Sequence, residues 1–245
     1  MRMWKDRLLL FAATVAIVAL AVAACGGGSS QQASDTANGL PGQLFAAHFV
    51  DSTPAHGQQF AQVPNQILIN FNFTLADNSS ISLTRDGVAV PVGAAKVGGE
   101  RRLQLASDVT GVQGNGLYVV DYKACWPDRS CHNGRLAFRV DASKSSSYLD
   151  MRGRADVAVS MKDVAFSPAR ILVSKGAIVT WTNNDGVQHF VNTDPHPVHN
   201  YLPGLNSLEI KPGQSYTYTF SDAGEWPYHC SLHFPQNMVA SIIVS

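Results

Sequence analysis

No surplus of either charge is present: lysine and arginine together number 18, and so do aspartate and glutamate. There is no charge run and no basic stripe, which excludes a nucleic-acid partner held by phosphate contacts. Charged residues make up only 15% of the chain against 45% hydrophobics, so the composition is that of a globular protein and not a disordered one. Long helical periods are missing, while glycine (20) and proline (12) are plentiful. That combination points to β-structure with many turns. Cysteine is scarce, with four in 245 residues, so each needs its own account.

The N-terminus reads separately from the rest. Arg2, Lys5 and Arg7 precede an apolar run from Leu8 to Val22. The run has the length of a signal-peptide core and is short for a membrane span. It ends in Val22-Ala23-Ala24-Cys25, followed by a Gly/Ser tract. This arrangement resembles a bacterial lipoprotein signal. The resemblance implies a signal peptide over 1–24 and lipidation of Cys25. Residues 25–42 then form a flexible tether, and the mature chain sits outside the cytoplasm on an envelope membrane, at its periplasmic face or on the cell surface. Three cysteines remain. Cys125 and Cys131 lie six apart on one turn and are expected to form a disulfide, with a thiolate metal site including His132 as the alternative. Cys230 is then a lone thiol in an oxidising compartment, which calls for an occupant.

Two stretches of short alternating strands follow. Residues 43–142 contain Ser80-Ile-Ser-Leu-Thr84, Gly116-Leu-Tyr-Val-Val-Asp-Tyr122 and Leu136-Ala-Phe-Arg-Val140, with Asp86-Gly87 as a hairpin signal. Residues 143–152 read as a linker. Residues 153–245 contain Asp156-Val-Ala-Val-Ser-Met161, Ala177-Ile-Val-Thr-Trp-Thr182, Ser215-Tyr-Thr-Tyr-Thr-Phe220 and Val239-Ala-Ser-Ile-Ile-Val244. The expected fold class is all-β, two β-sandwiches in tandem.

The chemistry is concentrated near the C-terminus. Cys230, His233 and Met238 give C-x2-H-x4-M, and His189 lies 41 residues upstream, after the strand that carries Trp181. Two imidazoles, a thiolate and a weak axial thioether are what a mononuclear blue-copper centre needs. The second domain resembles the cupredoxins, particularly the plastocyanin and amicyanin group. The match runs through Trp181-Thr-Asn-Asn-Asp-Gly-Val-Gln-His189, Tyr228, and Cys230, His233 and Met238. The resemblance implies a Greek-key sandwich holding one type 1 copper on His189, Cys230, His233 and Met238, with His233 as the electron port. Phe190 stands where plastocyanins usually carry Asn, and 192–206 is longer and richer in histidine than in a minimal member. His196 and His199 sit between prolines and are expected on an extended loop where they need not converge. His229 should point away from Cys230, because neighbours in a strand alternate faces.

The first domain resembles the bacterial CopC copper-resistance module through Ala47-His48-Phe-Val-Asp-Ser-Thr-Pro-Ala-His-Gly57 and Asp128-Arg-Ser-Cys-His-Asn-Gly134. The resemblance implies an Ig-like sandwich and nominates His48, Asp128 and His132 for a second Cu(II) site. His48 is not a chain terminus here, so it has no free amine to offer. No methionine falls between 43 and 150, which excludes a Met-rich Cu(I) site. The chain therefore reads as a membrane-anchored electron carrier working between redox partner proteins, and not as an enzyme. The alternative is a copper-handling protein for resistance, storage or delivery. A two-domain copper enzyme would need a further histidine-rich centre, and the first domain offers only His48, His56 and His132.

Overall fold

The computed structural model describes residues 39–245. The expected signal segment, Cys25 and the tether up to residue 38 lie outside the described residues. Among the described residues no helix is long and apolar enough to cross a membrane.

The chain forms two sandwiches, and each has one four-stranded and one five-stranded sheet. In the first, Phe49–Thr53, Gln66–Phe71, Gln104–Asp108 and Lys96–Gly98 lie in that order. They face Gln59–Phe60, Cys131–Val140, Gly116–Cys125, Ser80–Arg85 and Val88–Val90. Their core includes Ile67, Ile69, Phe71, Leu105, Tyr118, Val120 and Phe138, all buried. The longest hairpin, Gly116–Cys125 with Cys131–Val140, is stapled at its turn end by the Cys125–Cys131 disulfide, directly after the register pair Ala124 and His132. The closed loop is short, so its entropic stabilisation sits near the lower end of the ~2–4 kcal/mol typical of disulfides.

In the second sandwich, Ala165–Ser167, Asp156–Lys162, Ile178–Asn183 and Ser215–Thr219 form one sheet. Leu149–Asp150, Arg170–Val173, Val239–Val244, Gly224–His229 and Asn192–Thr193 form the other. Asp156–Lys162 alternates exposed and buried residues, as its apolar pattern requires. Parallel pairing of Asp156–Lys162 with Ile178–Asn183, and of Arg170–Val173 with Val239–Val244, makes the chain cross between sheets and gives the Greek-key path.

Two boundary expectations need correction. Leu40 is buried, so packing begins inside the expected tether, just before Leu44 bridges to Arg135 at the start of the expected first domain. The expected linker 143–152 is largely built into the fold. Its serines form most of a 3-10 helix, Ala142–Ser147, capped by the Asp141 carboxylate. Leu149–Asp150 then joins the second sandwich as a parallel edge strand.

The sandwiches pack on each other through one face of Gln66–Phe71. Ile67, Ile69 and Phe71 point into the first core, whereas Leu68 belongs to the second. On Leu68's face, Gln66 Nε2 donates to the Tyr201 carbonyl (2.8 Å) and Asn200 Nδ2 donates to Asn70 Oδ1 (2.7 Å). This explains Leu68, which breaks a simple polar–apolar alternation: both faces of the strand are covered. Nearby, Gly224 has φ +152°, and a Cβ there would lie 2.6 Å from the Asn65 amide of the first domain. Only glycine fits that approach without strain.

Candidate metal centre

The C-terminal ligand loop is short and tightly bonded to itself. Strand Gly224–His229 delivers Cys230, and its partner Val239–Val244 starts just after Met238. The backbone N–H of Cys230 donates to the Met238 carbonyl (3.0 Å), that of His233 to the Cys230 carbonyl (3.1 Å), and that of Met238 to the His233 carbonyl (3.2 Å). A 3-10 turn, Phe234–Gln236, and a left-handed Asn237 (φ 62°) complete the reversal. His189 arrives from the other side, fixed by reciprocal backbone bonds to Ile210 (3.0 and 2.9 Å).

These elements bring three ligand atoms together. His189 Nδ1 lies 3.1 Å from His233 Nδ1. Cys230 Sγ lies 3.3 Å from His233 Nδ1 and 3.7 Å from His189 Nδ1. Metal bonds of ~2.0–2.1 Å to nitrogen and ~2.3 Å to sulfur would put neighbouring ligand atoms about 3.3–3.8 Å apart. The observed spacing therefore fits one ion. His189, Cys230 and Met238 are buried, while His233 is half-exposed. Two imidazoles, a soft thiolate and a nearby thioether are the donor set that suits copper in both oxidation states.

The surroundings fix these ligands. The Phe190 backbone N–H donates to Cys230 Sγ (3.3 Å), a contact that does not depend on the side chain at 190 and that favours the thiolate. Asp185 Oδ2 lies 3.2 Å from His189 Nε2 and sets the ring's tautomer. The Asp185 carboxyl is held below its ordinary pKa by the backbone N–H groups of Val164 and Gly186, with a smaller contribution from His189. Burial pushes His233 down, and the neighbouring His189 adds to this, so the neutral ligating form is favoured. Asn183, fully buried, clamps the His189 loop. Its Nδ2 donates to the carbonyls of Val187 and Ile210 (both 2.8 Å), and its Oδ1 accepts from the Asp185 N–H (2.9 Å). Sequence reasoning singled out neither Asn183 nor Asp185. Their signal was the Asn-Asn-Asp-Gly turn directly after the Trp181 strand.

Among the described residues, two groups of three potential ligands come within 4.8 Å of one another: His189, Cys230 and His233, and His196, His199 and His229. The second group corrects the expectation of an extended loop with separate imidazoles. His229 faces away from Cys230, as strand alternation requires, but it is completely buried and meets His199. Burial lowers the pKa of His196 and pushes that of His199 to about 4, where His229 and His196 add to the effect.

His48, Asp128 and His132 do not converge. Trp126 stands between the two rings, 5.5 Å from His48 and 5.1 Å from His132 in edge contacts. His48 Nδ1 is 2.9 Å from Asn72 Oδ1, and Asp128 Oδ1 accepts from the Ser130 N–H and hydroxyl. His48→Ala is accordingly expected to leave the Cu(II) stoichiometry of the full chain unchanged, as measured by equilibrium titration against a chelator. Loss of one equivalent would reinstate the site.

Residues 154–245 match the model of copper-binding proteins of the plastocyanin/azurin family, and residues 49–141 match the CopC domain. Plastocyanin from Scenedesmus fuscus is 31% identical over 88 residues, which cover 33% of this chain and 87% of that protein. The chloroplastic plastocyanin of Tetradesmus obliquus is 36% identical over 88 residues, covering 33% of this chain and 59% of that protein's length. Among solved structures, CopC from Methylosinus trichosporium OB3b is 24% identical with a TM-score of 0.35, covering 41% of this chain and 94% of that one. Through its second sandwich the chain belongs to the plastocyanin/azurin family of copper-binding proteins, with a CopC domain ahead of it and a type 1 copper as its cofactor.

Proposed function

We propose that this chain is an extracytoplasmic electron carrier, held to an envelope membrane by a lipid on Cys25, that passes single electrons between redox partner proteins and is not itself an enzyme. The observation that carries this reading is the convergence of His189 Nδ1, His233 Nδ1 and Cys230 Sγ within 3.1–3.7 Å at one end of the second sandwich. Copper, when bound, supplies the chemistry by alternating between Cu(II) and Cu(I).

The chain's own residues do the rest. Backbone bonds around Cys230, His233 and Met238 hold the ligand loop in one shape, which suits a centre that must not rearrange between oxidation states. Burial of His189, Cys230 and Met238 excludes water. His233 is half-exposed between the exposed apolar residues Leu232 and Phe234. It offers a partner a short route to the ligands across a desolvated contact.

Voltammetry of the copper-loaded full chain tests this reading. A reversible one-electron wave without metal loss is expected. An irreversible wave, or copper leaving to an apo-acceptor protein, would overturn it in favour of copper handling, the alternative that the CopC match supports. Met238→Leu is expected to keep the colour and raise the potential by about 60 mV, a tenfold change for a one-electron couple, because the thioether favours Cu(II). An unchanged or lower potential in the same voltammetry would remove Met238 from the set of residues that would hold the copper.

A further inference from the structure

We infer that His196, His199 and His229 form a second metal site, separate from the blue-copper ligands, which holds one divalent transition metal through three imidazoles. By the affinity order of such sites, copper(II) binds most tightly of the divalent first-row metals.

The register of the second sandwich builds the cluster. Asn192–Thr193 pairs with Gly224–His229, placing Asn192 opposite His229, so the loop that follows folds back over the end of that strand. His229 Nε2 lies 3.1 Å from His199 Nε2, close to the ~3.3 Å expected for two nitrogens on one tetrahedral ion with bonds of ~2.0–2.1 Å. His196 packs beside both, with ring centroids 5.5 Å from His199 and 5.3 Å from His229.

The cluster also has the support that metal-binding histidines usually have. Asp194 Oδ1 sits 2.9 Å from His229 Nδ1, so the Nδ1–H donates to the carboxylate and the Nε2 lone pair faces His199. His196 Nδ1 is buried without a hydrogen-bond partner. A single N–H···N bond could satisfy the His199–His229 pair, but it leaves that nitrogen unexplained. A shared cation accounts for all three rings.

The first domain braces the loop from outside. Gln58 Nε2 reaches Asp194 Oδ2 (3.4 Å), Gln66 holds the Tyr201 carbonyl, and Asn70 pairs with Asn200. A cleft of 360 Å³ between the domains, lined by Asp51, His56, Asp194 and His196 among others, reaches the edge of the cluster at His196. Three protein ligands leave a coordination position for water or a small anion entering that way. His229 and Cys230 are consecutive, so one peptide unit joins the two sites.

The test is a Cu(II) titration of the full chain against a competing chelator. Blue absorption reports the first site, and electron paramagnetic resonance with wide copper hyperfine splitting reports the second. The expected result is two equivalents in the native chain and one in His196→Ala and His199→Ala, both with the blue band intact. If His199→Ala disturbs the blue band, His196→Ala, at the edge of the cluster, decides. A single equivalent in the native chain, or a second equivalent that survives in both variants, would overturn the proposal. Loss of the second equivalent in His196→Ala from a chain that never turns blue would sink the electron-carrier reading and leave this site standing.

Discussion

Cys230→Ser is expected to abolish the intense visible band of the copper-loaded chain and its one-electron wave, while both sandwiches stay folded. The band needs a sulfur donor, and a serine hydroxyl is neither soft nor ionised near neutral pH. The packing cost is small. Serine is close in volume, and the Phe190 N–H that donates to Sγ at 3.3 Å can donate to an oxygen in its place. Copper affinity should fall by orders of magnitude, because the two imidazoles and a thioether remain without an anionic ligand. Absorption and voltammetry check the first claim, and far-ultraviolet circular dichroism checks the second. A blue serine variant would show that the sulfur ligand had been misassigned. An unfolded one would show that Cys230, completely buried in the second core, is held there chiefly for packing.

The contrast between the two metal clusters shows what the sequence could reveal. Cys230, His233 and Met238 lie within nine residues, so loop geometry alone brings them together, and a strand ending in a marked turn delivers His189. Their spacing was enough to read the site. His196, His199 and His229 are no farther apart in number, but their meeting depends on long-range facts. Asn192 must pair opposite His229, and the first domain must press on the loop through Gln58, Gln66 and Asn70. Proline-rich sequence argued for extension, and tertiary packing overrode it. The same limit applies in the first domain. His48, Asp128 and His132 resemble a ligand set in sequence, but Trp126 occupies the space between the histidines. Strand alternation located most of the core. Leu68 departs from that alternation because a second sandwich covers the outer face of its strand.

Glu225 carries the other large expected effect, and it acts on the joint between the domains. The residue is nearly fully buried, and the donors that meet its carboxylate among the described residues are all uncharged. Its Oε2 accepts from the backbone N–H groups of Ala61 (2.7 Å) and Gln62 (3.2 Å) in the first domain. Its Oε1 accepts from the hydroxyls of Tyr148 (2.7 Å) and Ser241 (3.3 Å). Glu225→Ala strips these donors of their acceptor in a site that water reaches poorly. The expected loss at neutral pH is about 3 kcal/mol, from buried donors left unpaired. Since those donors span both domains, the variant should unfold in two steps: the first sandwich separates from the second, whose own unfolding the blue band follows. Glu225→Gln separates shape from charge. The amide oxygen can still accept the two backbone bonds, and the Tyr148 and Ser241 hydroxyls can turn to accept from the amide nitrogen. Burial raises the Glu225 pKa above its ordinary value, against the opposing pull of these hydrogen bonds. A raised carboxyl favours the folded state below the unfolded-state pKa, and that advantage is lost as pH rises through the folded value. The native chain should therefore lose stability relative to Glu225→Gln as pH is taken upward from about 4 through the raised value. Denaturant unfolding of the three proteins between mildly acidic and neutral pH measures both effects. A loss below about 1 kcal/mol in Glu225→Ala would mean that water satisfies the stranded donors. A difference between Glu225→Gln and the native chain that did not change with pH would mean that the carboxylate is not penalised by its burial.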